Sequence, residues 1–164
     1  MTDWTTTSLF HSPLESGVRL VTILDAMFPA RLDLQSLGLL DYLLVHSADG
    51  GGPPSLHPAT PMRTGEITVR RAFIEQGLQW MASTGLVQEH LSPEGFTYGA
   101  TDAARPFLDG LTTRYASDLR ERASWLRTAF STFSPQALDQ FVAGRVDRWT
   151  ADFAVVNRSE SLEA

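Results

Sequence analysis

The chain of 164 residues contains neither cysteine nor lysine. Without cysteine there are no disulfides and no thiolate metal ligands. All 13 basic residues are arginine. A GC-rich coding sequence explains that bias, and so does a preference for bidentate guanidinium pairs at interfaces. Excess positive charge is also missing: the net charge is -6 and the pI about 5.1. That argues against bulk attraction to nucleic acid, while leaving room for a local basic patch. No apolar run approaches the roughly 20 residues a helix needs to span a bilayer. No basic stretch followed by an apolar run marks a signal peptide. The expectation is a cytoplasmic protein with no membrane partner. Its length suits one domain, or one domain with an extension, and suffices to bury a core.

Motifs for chemistry are scarce. Gly50-Gly51-Gly52 lacks the Lys and Ser/Thr of a phosphate-binding loop and does not open a helix. His11, His46, His57 and His90 show no paired ligand spacing. His46 and His57 flank one loop and could meet, with Asp49 as a third ligand, but isolated histidines are more often simply hydrogen-bonded. Ser47 and Ser55 lie beside those histidines without a strand–Ser–helix elbow. No catalytic residue, cofactor or metal is assigned, and a non-enzymatic protein is expected.

What is present is organised around Thr64 to Thr101. Ile67, Ile74, Leu78 and Met81 share one helical face, with Val69, Phe73 and Trp80 as a second stripe beside it. Gly85 suits the position just past the helix end. Leu86-Val87 starts a strand, Ser92-Pro93-Glu94-Gly95 makes a turn, and Phe96 and Tyr98 alternate along the return strand. Thr101 is placed to cap a following helix. A long helix followed by a hairpin outlines a winged helix. The predicted fold is mainly α: a winged-helix-like domain of helices plus a β-hairpin wing, with a C-terminal helical extension. Its parts are a flexible N-terminus over 1–13, a core over 14–101, C-terminal helices over 102–156 and a flexible tail over 157–164.

Two apolar helices precede this stretch, Leu14 to Phe28 and Leu34 to His46, the second capped by Asp33. Asp25 and Asp41 are embedded in them, and a carboxylate near a core wants a partner. Arg70 falls inside the apolar face of the third helix, so a buried pair with Asp25 or Asp41 is expected, with a phosphate contact as the functional alternative. Between these helices residues 48–63 hold three glycines and four prolines. Such a long irregular loop is often functional or disordered, and this one is the best candidate for partner docking, with a plain surface loop as the competing reading. Asp102 to Thr132 reads as one long helical stretch with Pro106 near its start, and Ser134-Pro135 opens a last helix.

The run LDYLLVHSADGGGPPSLHPATPMRTGEITVRRAFIEQGLQWMASTGLV, Leu40 to Val87, resembles the middle component of the ABC-three-component systems. These are bacterial conflict systems that include the Lamassu anti-phage defences. The "LDYLLVHS" helix, the "GGPPSLHPATP" loop and the helix ending in "GLV" carry the likeness, and "YGATDAARPFLDGL" agrees in place. The resemblance spans about residues 10 to 130; residues 131 to 164 carry no matching motif.

It implies a small, non-catalytic subunit that bridges an SMC/Rad50-like ABC ATPase and an effector, often a nuclease, leading to abortive infection. An indirect or weak DNA contact through the complex fits that role. Candidate partner-binding residues are Ser55, Leu56, His57 and Pro58 in the loop, Arg63 and Arg71 near the start of the third helix, and Trp80, Trp125 and Trp149 as aromatic anchors. Plain core packing is the competing reading for each Trp. The alternative function is a free-standing winged-helix transcriptional regulator that dimerises through Asp102 to Phe130. The acidic hairpin, with Glu89 and Glu94, favours protein over DNA as partner.

Overall fold

The structure is a computed structural model that describes residues 12–58 and 63–145, with side chains from residue 70 onward in the second stretch. Helix α1 is Pro13–Met27, capped by Ser12, whose hydroxyl accepts from the Glu15 N–H at 3.2 Å. A short strand β1, Leu32–Asp33, leads into α2, Leu34–Val45. The Asp33 carboxylate caps α2 through the Ser36 N–H at 2.9 Å. A 3₁₀ turn, Ser47–Gly50, follows. Helix α3 is Arg63–Ser83, and Gly85 just beyond it adopts φ +80°, which L-residues with a Cβ avoid. Strands β2, Val87–Ser92, and β3, Gly95–Ala100, form the hairpin. Helix α4 is Ala104–Asp109 and α5 is Arg114–Phe130; a last helix, α6, occupies residues 135–145.

The fold is mainly helical with one small antiparallel sheet in the order β1-β3-β2, a winged-helix-like arrangement. In the hairpin Leu91 faces Phe96 and Val87 faces Ala100. Strand β1 was not expected. Only two residues long, it is held by the register Leu32 to Tyr98 and Asp33 to Thr97. A strand of that length leaves no alternation to read in the sequence.

Helix α2 has almost no solvent face: every residue from Leu39 to Ser47 is buried. A helix that is apolar all round belongs inside. Leu20, Ile23 and Leu24 of α1 pack against it from one side, with Ile74 and Leu78 of α3 and Leu119 and Leu126 of α5 completing the core. Helices α1 and α3 cross where glycine meets glycine. A Cβ on Gly77 would lie 2.8 Å from the Gly17 nitrogen and 3.0 Å from the Pro13 carbonyl oxygen. The two backbones approach that closely because neither position carries a side chain.

Two expectations need correction and one is refined. The stretch from Asp102 to Thr132 is two helices, α4 and α5, because Thr113 is extended and caps α5 through the Ala116 N–H at 3.2 Å. Thr101 stands two residues before the flanking position of α4, where its hydroxyl accepts from the Ala103 N–H at 3.3 Å. Its hydroxyl donates to the Gly85 carbonyl at 2.6 Å, tying the end of β3 to the turn after α3, while the residue flanking α4 is Ala103. Phe28, read as part of the buried first helix, lies past its end and is 51 % exposed. Of the flexible start expected over 1–13, residues 1–11 lie outside the described residues, while Ser12 and Pro13 already cap and open α1; the tail over 157–164 lies outside the described residues as well.

Candidate functional site

Three helices each send one charged side chain to a single buried point. Arg19 of α1 places Nε 2.7 Å from Asp41 Oδ1, and Arg70 of α3 places Nη1 2.9 Å from Asp41 Oδ2. Asp41 is fully buried and the two guanidinium side chains are nearly so. One carboxylate cannot balance two cations. Glu15, one turn before Arg19, supplies the second negative charge at 3.3 Å from Arg19 Nη1. Burial raises the pKa of Asp41, but the two guanidiniums outweigh it and hold the carboxyl below its ordinary value. Burial pushes Glu15 up, with Arg19 opposing.

The network continues outward. The Tyr115 hydroxyl of α5 donates to Glu15 Oε1 at 3.2 Å, and its oxygen is 2.8 Å from His57 Nε2. With the Tyr115 proton given to Glu15, His57 is the donor in the second bond. Burial, then the Arg70 and Arg19 charges, push His57 down to about 4, so the ring is neutral at pH 7. Burial and the neighbouring Glu15 carboxylate push Tyr115 up, so it keeps its proton.

His57 anchors a strap made of the Pro/Gly loop. The Leu56 and His57 N–H groups both donate to the Val45 carbonyl, at 2.9 and 3.0 Å, beyond the end of α2. Ser55 Oγ accepts from the Ala48 N–H at 3.1 Å. Arg122 of α5 grips the Pro54 carbonyl with Nε at 3.1 Å and Nη2 at 2.7 Å. Trp125, one turn further along α5, lies flat on the glycines: a Cβ on Gly52 would come within 2.3 Å of its ring. The glycines are there because an indole occupies their side-chain space.

The residues singled out from the sequence thus separate. Ser55, Leu56, His57 and Trp125 belong to the strap and its backing, and Pro58 beside them is exposed. Arg71 and Trp80 stand exposed on α3, nine residues apart and therefore about half a turn around the helix from each other. The Arg63 side chain and Trp149 lie outside what is described. Of the two acids proposed for Arg70, Asp41 is the one it meets; Asp25 instead takes Arg105 Nε at 2.9 Å. His46 and His57 do come together, ring centroids 6.1 Å apart and edge-on. Asp49 turns away to accept from the Tyr42 hydroxyl at 2.7 Å.

Arg19, Glu15 and Arg122 were missed. A signal for the first two existed: Glu15 and Arg19 stand at i,i+4 inside an otherwise apolar helix. Arg122 gave no signal, because in sequence it sits within a run of exposed charges.

The described residues thus form a mainly helical, winged-helix-like fold with a buried ionic centre and with the loop up to Pro58 held against α2 and α5. The chain matches the family described as ABC-three component (ABC-3C) system Middle Component 2 over residues 9–152, and it belongs to that family. The match runs past residue 130, where the motif likeness stopped, and takes in α6. No curated protein and no solved structure matched the chain.

Proposed function

We propose that this chain is a non-catalytic, cytoplasmic assembly subunit. It bridges an SMC/Rad50-like ABC ATPase and an effector, a nuclease, in an anti-phage defence complex of the Lamassu type. Membership of the middle-component family carries this reading, since a middle component of a three-component system has two kinds of partner subunit. The geometry is in keeping with it. The Arg70 guanidinium is committed to Asp41, so the third helix of the winged-helix-like fold does not offer it to phosphate. The outward positions of α3 include Glu75 and Gln76, and the hairpin carries Glu89 and Glu94. Among the described residues no helix is long and apolar enough to cross a membrane.

The test is affinity capture of the tagged protein co-expressed with the products of its neighbouring genes. The expected result is recovery of a large coiled-coil ATPase and a third protein in fixed ratio. Recovery of the protein alone, as a homodimer that shifts a specific duplex, would replace this reading with that of a regulator.

A further inference from the structure

Six large apolar side chains are exposed among the described residues: Leu14, Phe28, Trp80, Leu91, Phe96 and Phe133. Four of them gather at one groove of about 510 Å³, between the end of α1, the tip of the hairpin, the end of α5 and the start of α6. Phe28, Phe96 and Phe133 line it, and Leu91, 75 % exposed, stands opposite Phe96 across the hairpin. Leu91 and Phe96 are on the face of the hairpin that buries Val87 at its other end. Phe133 is held edge-on to buried Phe130 at 5.1 Å and to Phe141 at 6.0 Å. With about 200 Å² for each phenylalanine, the four expose on the order of 400 Å² of apolar surface. Single apolar residues on a surface are ordinary; a cluster of this size marks a docking face.

The charged groups at the groove are of both signs. Asp33 is engaged as the cap of α2. Arg31 extends over Gly99, on the face of β3 opposite to Phe96, where a Cβ would lie 3.4 Å from the Arg31 Cγ. Glu94, on the hairpin turn, is exposed and meets no cation among the described residues. Arg127, on α5, donates from Nη1 to the Ala26 carbonyl at 3.2 Å and meets no carboxylate among the described residues. An occupant of one sign would be repelled by one of these two. A second copy of the chain carries both, and two-fold symmetry sets Glu94 of each protomer against Arg127 of the other. The stretches outside the description set out elsewhere. Ser12 is the length of α1 away from Phe28, and only the start of α6 lines the groove, while its end at Arg145 lies beside Gly51.

We propose that this groove is the interface between two copies of the chain in a symmetric dimer. The rings of the two copies pack on each other, and each Glu94 meets the Arg127 of the other copy in a charge-assisted pair. Apolar area on the order of 400 Å² is half of the roughly 800 Å² that one side contributes to a standard interface, so the association is weak. The inference is independent of the bridging role, because it concerns the isolated chain. Where both hold, the complex contains two copies of this subunit.

Sedimentation velocity of the isolated protein over a range of concentrations tests the proposal. The expected result is a monomer–dimer equilibrium with a Kd of about 1–100 µM, the range of a small interface. Phe28→Ser combined with Phe96→Ser should weaken it at least tenfold. So should Glu94→Arg alone and Arg127→Glu alone, since each sets like charges against each other at two symmetric places. Glu94→Arg combined with Arg127→Glu should bring the Kd back to within threefold of the wild type, which a merely destabilised fold would not do. All four side chains are exposed, and unchanged circular dichroism confirms that each variant is folded. A wild type that stays monomeric well above that range overturns the proposal, and loss of a co-expressed partner by the ring variant then assigns the groove to that partner. A dimer that survives the ring variant places the interface elsewhere. Absence of rescue by the combined charge swap overturns the symmetric pairing.

Discussion

Asp41 is the residue on which the core's electrostatics turn. It faces Arg19 and Arg70 inside the protein, where water does not screen them. Removing it leaves two buried guanidiniums with one half-buried Glu15 between them. Asp41→Ala should therefore cost about 3–5 kcal/mol in urea unfolding. Replacing Arg19, Asp41 and Arg70 together by apolar residues of similar volume should recover much of that loss, because the desolvation cost disappears with the charges.

His57 makes a separate prediction for pH. Its pKa is pushed from 6.5 to about 4, so the unfolded chain binds its proton first as the pH falls. Stability linked to His57 is complete above pH 6.5 and is lost towards pH 4. Glu15 works in the opposite sense: its raised pKa adds stability as the pH falls towards 4.5. Comparison with His57→Phe, which keeps a ring beside Tyr115, isolates the histidine. The wild type should lose on the order of 2 kcal/mol relative to that variant between pH 6.5 and 4, allowing for solvent screening at the partly open loop.

Among the elements, the crossing of α1 and α3 depends on two glycines that behave differently. A Cβ on Gly77 meets the α1 backbone, which cannot step aside without moving the helix. A Cβ on Gly17 meets first the Met81 methyl at 2.6 Å, the far end of a flexible chain. Alanine also gains about 1 kcal/mol over glycine in a helix. Gly77→Ala should thus destabilise the protein by about 1–3 kcal/mol, while Gly17→Ala should fall within about 1 kcal/mol of the wild type. Equal effects in thermal unfolding would show that the crossing relaxes more easily than its geometry implies.

For the whole molecule, the acidic balance and the commitment of Arg70 to Asp41 set the behaviour towards DNA. The isolated protein should bind a mixed-sequence duplex no more tightly than about 100 µM at physiological salt, the weak end of non-specific binding. Fluorescence anisotropy with a labelled duplex checks this. Affinity in the low micromolar range would point to basic surface on residues 59–69 or 146–164, which carry Arg63, Arg148 and Arg158.

The sequence by itself determined the helices up to Ser83, the hairpin and the caps at Asp33 and Ser134, because those depend on neighbours a few residues apart. Asp33, Gly85, Pro93 and Ser134 each act within four residues of themselves, and each does in the structure what its type does locally. It also pointed to an acid for Arg70, since a charge within an apolar stripe calls for a partner. Only the tertiary structure decided which acid, because Asp25 and Asp41 are both plausible until α1 is turned so that Asp41 meets Arg19 and Asp25 meets Arg105. The Pro/Gly loop read as the candidate docking element. Only the tertiary structure decided that its described part is strapped to the core, because the Pro54 carbonyl and the glycines meet Arg122 and Trp125 from a helix about 70 residues downstream.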